Sequence, residues 1–158
     1  MQKHYKLALI FFVTIFLYSC NEEKNSSSSI PFVKEAEIII INSKSDTLRF
    51  DVELATTPYQ QAQGLMNRYS LEDNQGMFFI FNNNIQHSFW MKNTYISLDI
   101  IFVNEDFKVL QIHENAFPLS EEAILSNEPC KYVLEIKGGL SSKLNIMPND
   151  SIQLIKKP

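Results

Sequence analysis

The sequence contains little cysteine, glycine and proline. Its 158 residues include two Cys, four Gly and six Pro, which excludes a disulfide scaffold and collagen-like or low-complexity structure. Charged residues make up 20% and the formal net charge is −4, so we predict no nucleic-acid partner. Hydrophobic residues make up 45% of the chain, and twelve residues are Phe. That composition and length indicate one domain of ordinary size with a real hydrophobic core.

The N-terminal segment has the pattern of an export signal. Two lysines precede an almost entirely apolar run over residues 7–17, which is too short to span a membrane. The run leads to Ser19-Cys20, and a small residue before a cysteine at this place resembles a bacterial lipobox. The resemblance implies that residues 1–19 are a signal peptide and that Cys20 carries a lipid. An uncleaved anchor and an ordinary secretory signal are the alternatives.

The segment after Cys20 is polar and rich in serine. Residues 21–29 contain nothing that a core could bury, so we expect residues 20–32 to form a flexible tether and residues 33–158 to form a single β domain. The lipid would hold the protein to a membrane of the bacterial cell envelope, facing the periplasm or the cell exterior. Cys130 then has no partner for a disulfide, and we expect a buried, inert thiol.

Strand patterns dominate the predicted domain. Residues 38–41 are a β-branched run, which is typical of a strand buried on both faces. Residues 48–54 alternate between apolar and polar side chains, which is typical of a strand with one buried face. Two hairpins are predicted, one turning at residues 82–84 and one at residues 104–106. The whole pattern predicts a mainly β fold, either a compact antiparallel barrel or a folded-over sandwich, with one or two short helices.

Two short helices are expected beside the strands. Thr57 is a good N-cap residue and Pro58 suits the first helical position. Gly64 weakens the end of this helix, which suggests that another group approaches the backbone there. A second short helix is expected after Gly139.

Several blocks in the middle of the chain carry a family resemblance. The blocks are Gly64-Leu65-Met66-Asn67-Arg68, Trp90-Met91-Lys92-Asn93 and Leu98-Asp99-Ile100-Ile101-Phe102, followed by Val133-Leu134-Glu135-Ile136 and Gly139. In this order and spacing they resemble the bacterial and archaeal family called domain of unknown function 192, over roughly residues 50–155. The resemblance implies a compact β structure with a short helix. It implies no particular reaction, because the activity of that family is not established.

Asp99 is the first candidate for a functional side chain. On its predicted strand it shares a face with Ile101 and Val103, where a carboxylate is costly unless it is paired or hydrogen-bonded. We therefore predict that Asp99 contacts Arg68, whose guanidinium suits a carboxylate, or Lys92. A purely structural ion pair that fixes the helix to the sheet is the alternative to a ligand site.

Trp90 is the second candidate. Its predicted neighbours on one strand face are polar, and a tryptophan with a polar rim is typical of ligand pockets. A tryptophan that closes one end of a barrel would show the same pattern. The candidate ligand-binding or structural cluster therefore consists of Arg68, Trp90, Lys92, Asn93 and Asp99.

The sequence favours neither a metal site nor a hydrolase. His87 and Met91 are possible copper ligands, but they lie four residues apart on a predicted strand, about 13 Å between Cα atoms. We therefore predict no metal and no cofactor. The Gly-x-Ser-x-Gly motif of serine hydrolases does not occur. Asp99 with Glu135 would supply two carboxylates for glycoside chemistry, at a separation that the sequence does not give.

These observations lead to one functional hypothesis and two alternatives. We expect a lipid-anchored extracytoplasmic domain that binds a small ligand or a partner in the envelope. The first alternative is a glycan-acting envelope enzyme that uses Asp99 as acid or base. The second is a structural envelope protein without a pocket.

Overall fold

The computed structural model describes residues 30–156. Cys20, the predicted signal peptide and most of the predicted tether lie outside these residues. The described part contains nine strands and two short helices: β1 (Ala36–Ile41), β2 (Thr47–Ala55), α1 (Pro58–Gln63), β3 (Gln75–Ile85), β4 (Ser88–Phe89), β5 (Leu98–Val103), β6 (Val109–Ala116), β7 (Ile124–Leu125), β8 (Cys130–Lys137), α2 (Leu140–Lys143) and β9 (Ser151–Lys156). Neither of the helices in residues 30–156 is long and apolar enough to cross a membrane.

Seven of these strands form one curled sheet. Their order is β6-β5-β8-β3-β2-β1-β9, while β4 and β7 form a separate small sheet. The edge strands β6 and β9 approach each other at one end, where Lys108 and Ser151 form an isolated bridge. The sheet is therefore a half-barrel, and the predicted mainly β fold with two short helices is confirmed.

One strand pair departs from the antiparallel prediction. The strands β2 and β3 are parallel, because α1 lies between them in sequence and returns the chain to the same end of the sheet. A parallel connection of this kind brings the turn after α1 over the sheet face.

Both faces of the sheet are buried. On one face, Phe50, Phe78, Ile101 and Leu134 belong to the core inside the curl. On the other face, Phe79 and Phe102 pack with Leu65, which follows α1, and with Met91, which follows β4. The second core therefore lies between the sheet and these covering segments.

The helix ends form as their sequence predicts. The Thr57 side chain accepts a hydrogen bond from the backbone N–H of Gln60, and the Gln60 side chain accepts one from the backbone N–H of Thr57. Pro58 occupies the first turn, and α1 ends at Gly64, whose φ is +49°. The second helix begins after Gly139, whose φ is +81°. Both glycines hold backbone angles that other residues adopt only with strain.

One of the two predicted hairpins is wrong. The strand β3 continues through residues 82–84 and pairs with β8 as far as Ile85, after a shift of register, and β4 pairs with β7 instead of β3. Long-range pairing with β8 therefore overrides the turn preference of the three asparagines. The second hairpin is confirmed: β5 pairs with β6, and the Asn104 side chain accepts hydrogen bonds from two backbone N–H groups within the turn.

Candidate functional site

Asp99 is fully buried and takes all its observed hydrogen bonds from the backbone. Its Oδ1 accepts from the N–H groups of Asn115 at 2.8 Å and Gly139 at 2.9 Å. Its Oδ2 accepts from the N–H of Ser141 at 2.7 Å. The predicted contact with Arg68 or Lys92 is therefore wrong. One N–H group of β6 and two at the start of α2 stabilise the buried carboxylate, in place of the cation that we predicted. This carboxylate fixes α2 and the end of β6 to β5.

Arg68 pairs with a different carboxylate. Its guanidinium lies 2.5 Å from Oε2 of Glu53, and both side chains are buried. The other Glu53 oxygen accepts the backbone N–H of Val33 at 2.8 Å. This ion pair ties the turn after α1 and the start of the described chain to β2.

Trp90 and Lys92 are brought together, as the predicted cluster requires. The Trp90 side chain is 47% exposed, and the Lys92 ammonium lies 5.0 Å from its ring centroid. Asn93 has a positive φ of 54°, and its carbonyl accepts the N–H of Asn67. Asn93 therefore acts as a turn residue that holds the segment after α1 against the segment after β4.

A cavity of about 280 Å³ opens beside Trp90, with Glu135 buried in its wall. It lies between the sheet and the covering segments at α1 and β4. Its size is near the lower end of the range for small-molecule sites, about 300–1,000 Å³. The residues in its wall are Gln61, Ala62, Gln63, Gly64, Leu65, Met66, Phe79, Phe81, His87, Ser88, Phe89, Trp90, Thr94 and Glu135.

Glu135 is the unusual group in this cavity. The residue is 4% exposed, and its Oε2 has no hydrogen-bond partner among the residues that the structure describes. Burial raises the pKa of Glu135 to about 8, because the ionised carboxylate is disfavoured where water is excluded. The carboxyl group is therefore mostly protonated at neutral pH.

The turn at Gly64 lies beside the carboxyl group. A Cβ atom at Gly64 would lie 3.4 Å from Cζ of Phe79 and 3.8 Å from Oε2 of Glu135. These are ordinary contact distances, so the glycine is explained by its φ of +49° and not by the predicted close approach. Any side chain at this position would project into the space beside the carboxyl group.

His87 is a second polar group in the cavity wall. Its ring stacks on Phe81 with the centroids 3.7 Å apart, and its Nε2 has no hydrogen-bond partner within residues 30–156. Burial lowers the pKa of His87, and the nearby backbone of Asn83 and Cys130 partly opposes this effect. The imidazole is therefore mostly neutral at pH 7.

The two carboxylates proposed for glycoside chemistry lie on opposite faces of the sheet. Asp99 is the register partner of Ile136, and Ile100 is the partner of Glu135. Because side chains alternate along a strand, Asp99 and Glu135 point away from each other. They cannot act on one bond, so the predicted pairing of Asp99 with Glu135 for glycoside chemistry is wrong.

No metal centre forms in the described part of the chain, where no three His, Cys, Asp or Glu side chains come together in a way that would hold an ion. Cys130 is buried, as expected, and burial raises the pKa of its thiol. A thiol in this state is a poor nucleophile.

The predicted cluster did not include Glu135 or His87, which the sequence offered only as a second carboxylate beside Asp99 and as a possible copper ligand. The signal for Glu135 was present, because the strand Val133–Ile136 places one carboxylate within an apolar run, as the strand around Asp99 does. The signal for His87 was obscured by the wrong hairpin. Of the predicted cluster, Trp90 contributes to the cavity wall, and Lys92 lies over its ring.

The chain belongs to the DUF192 family, described as Uncharacterized ACR, whose model matches residues 39–154. This match confirms the resemblance drawn from the sequence blocks. No curated protein matches the sequence.

Two solved structures share the fold. A protein of unknown function from Novosphingobium aromaticivorans is 41% identical, with a TM-score of 0.72, over 74% of this chain and 83% of that one. A proposed transcription regulator from Sinorhizobium meliloti is 37% identical, with a TM-score of 0.75, over 80% of this chain and 97% of that one. Neither description names a ligand or a reaction.

Proposed function

We propose that this protein is a lipid-anchored domain of the bacterial cell envelope that binds a small ligand in the Glu135 cavity. The observation that carries the binding proposal is the buried carboxyl group of Glu135, whose Oε2 lacks a hydrogen-bond partner within the described residues. A buried polar atom left unpaired costs free energy, about 1–3 kcal/mol. A ligand that supplies the missing partner recovers this free energy, so the group favours occupancy of the cavity.

The shape of the site supports the same proposal. Trp90 and Ser88 lie in the cavity wall and are exposed, while Phe79 and Glu135 are buried. An apolar wall with a few polar groups is the usual composition of a site for a small molecule. A structural envelope protein would have no need for an unpaired carboxyl group in such a cavity.

The location in the envelope rests on the sequence pattern alone. The apolar run over residues 7–17 and the lipobox-like Ser19-Cys20 support it. The formal net charge of −4 gives no attraction to DNA, so the description of the Sinorhizobium meliloti relative does not lead us to propose a nucleic-acid partner.

The envelope-enzyme alternative now depends on Glu135. A carboxyl group that is protonated at neutral pH is the state that a general acid requires. Glycosidases of the usual kind also need a second free carboxylate within about 10 Å. Glu53 lies on the same sheet face but is already bound by Arg68 and by the N–H of Val33. Ligand binding is therefore the better-supported function.

A thermal-shift screen of the full-length protein tests the binding proposal. Sugars, short peptides and small amines are the classes to be screened, since a ligand that binds only the native state raises the melting temperature. We expect at least one class to raise it. The variant Ser88→Trp places a large ring at the cavity mouth and should abolish the shift. Ser43→Trp, in the exposed β1–β2 turn, is the matched control and should retain it.

Two outcomes would contradict the binding proposal. One is that no class of compound raises the melting temperature of the unsubstituted protein. The other is that an observed shift persists undiminished in Ser88→Trp, since the compound would then bind elsewhere.

A further inference from the structure

We propose that the ligand of the Glu135 cavity is a small organic cation with an ammonium head group, an inference that rests on the proposed function above. The proposal combines two features of the cavity: one unpaired acidic group and an aromatic wall. Neither feature alone defines the ligand, but together they match the chemistry of an alkylammonium ion.

The charge of the cavity favours a cation. Its wall contains Glu135 but no lysine or arginine. The nearby arginine, Arg68 in the turn after α1, is already paired with Glu53. A positive charge for the carboxylate of Glu135 must therefore come from the ligand, because the described residues around the cavity supply none in contact with it.

The aromatic side chains of the wall favour an ammonium group over a metal ion. Phe79 and Phe89 meet edge to face with centroids 5.1 Å apart, and Phe81 and Trp90 complete the wall. Aromatic faces attract alkylammonium ions through the ring quadrupole, and such cages recognise choline-like groups. The Trp90 ring already has this interaction with the Lys92 ammonium, 5.0 Å from its centroid.

A neutral ligand would behave differently as the pH changes. With a pKa of about 8, Glu135 is protonated in the free protein at pH 6 to 7. A permanent cation would bind best to the ionised form, so binding releases a proton to solvent and the affinity rises with pH. A neutral ligand that accepts a hydrogen bond from the protonated carboxyl group would bind equally well below pH 8 and more weakly above it.

Few other groups near Glu135 can titrate or carry charge. They are His87 in the cavity wall, the Glu53–Arg68 pair and His113 in the register row of Glu135, and the Lys92–Glu121 pair beside Trp90. His87 has a pKa below its ordinary value, so its charge changes at lower pH than that of Glu135. The Glu135→Gln variant separates the titration of Glu135 from that of these other groups.

Isothermal titration calorimetry of the full-length protein with choline, tetramethylammonium and ethanolamine tests the proposal. Choline keeps its charge at every pH, so its pH dependence comes from the protein alone. We expect its affinity to rise about tenfold between pH 6 and 7 and about fifty-fold between pH 6 and 8, as a pKa of about 8 requires. Repeating the pH 6 titration in buffers of different ionisation enthalpy should show close to one proton released per choline bound.

Two variants and one compound serve as controls. Glu135→Gln should weaken choline binding at pH 8 and remove its pH dependence, whereas Glu105→Gln, in an exposed turn, should change neither. The neutral isostere of choline, in which a tert-butyl group replaces trimethylammonium, should bind at least tenfold more weakly than choline at pH 8.

The outcomes separate this proposal from the one on which it rests. The cation proposal is overturned if the neutral isostere binds as tightly as choline, if the affinity is flat below pH 8, or if none of the three cations binds. In each case the binding function still stands if the thermal-shift screen finds another ligand whose binding Ser88→Trp abolishes. It fails as well when that screen finds none.

Discussion

Glu53 and Glu135 lie in one register row on the same face of the sheet, separated only by Met77. Their strands are two spacings apart, about 10 Å, and both side chains are buried. Glu53 is bound by Arg68 and by the N–H of Val33, whereas Oε2 of Glu135 has no partner within residues 30–156. The first carboxylate therefore stabilises the fold, and the second is available to a ligand.

Removing the guanidinium from the buried pair should destabilise the protein strongly. Arg68→Met keeps much of the side-chain volume but leaves the Glu53 charge buried without its cation, at a cost of about 3–5 kcal/mol. Urea unfolding at pH 7 measures this loss in the free energy of unfolding. Arg49→Met breaks a solvent-exposed pair with Glu37 and should cost less than about 1 kcal/mol. Equal losses in the two variants would contradict a special role for the Arg68–Glu53 pair.

Asp99 should affect stability without affecting the cavity. Asp99→Asn replaces one accepting carboxylate oxygen with an NH2 group, which donates and cannot accept, and should cost about 2–3 kcal/mol. Ligand binding to the native state should not change, because Asp99 points to the opposite sheet face. Asp106→Asn, in the exposed β5–β6 turn, is the control. A selective loss of ligand affinity in Asp99→Asn at unchanged stability would show that this carboxylate belongs to the site.

The protonation of Glu135 should make stability depend on pH. The pKa of Glu135 rises from an ordinary 4.5 to about 8 on folding, so the native state binds more protons than the unfolded state between these values. The contribution of Glu135 to stability is complete below pH 4.5 and is lost as the pH rises to 8, by up to about 1.4 kcal/mol per pH unit. Relative to the wild type, Glu135→Gln should therefore gain stability across this window. Urea unfolding at a series of pH values measures the difference, and parallel curves for the two proteins would contradict the account.

The proposed lipid attachment at Cys20 is testable in cells. Cys20→Ala should prevent lipid attachment, so the protein should leave the membrane fraction and lose the mass of the lipid. Cell fractionation and mass spectrometry of the intact protein measure both effects. Cys130→Ala keeps Cys20 and should leave both results as in the wild type. Membrane association and mass that persist in Cys20→Ala would contradict the lipoprotein assignment.

Local signals predicted the parts of the fold that depend on neighbouring residues. The N-cap at Thr57, the glycine at position 64, the turn at residues 104–106 and the helix after Gly139 follow from backbone preferences within a few residues. The family resemblance came from short blocks whose order could be read directly. These features need no knowledge of which strands pair.

The parts that failed depend on long-range pairing. The three asparagines at residues 82–84 favour a turn, but pairing of β3 with β8 keeps them in a strand. The partner of Asp99 was wrong because backbone N–H groups leave no mark in the sequence, whereas arginines and lysines do. The cavity depends on how two distant segments cover one sheet face, which periodicity along a single strand cannot give.

The pKa of Glu135 is the most direct test of the central claim that an unpaired carboxyl group lies in the cavity. Carbon-13 NMR of the full-length protein can follow the side-chain carboxyl resonance of Glu135 from pH 4 to pH 10, with Glu135→Gln used to assign it. The account predicts a titration midpoint of about 8. A midpoint near the ordinary value of 4.5 would show that the carboxylate is solvated or already paired, and would contradict the account.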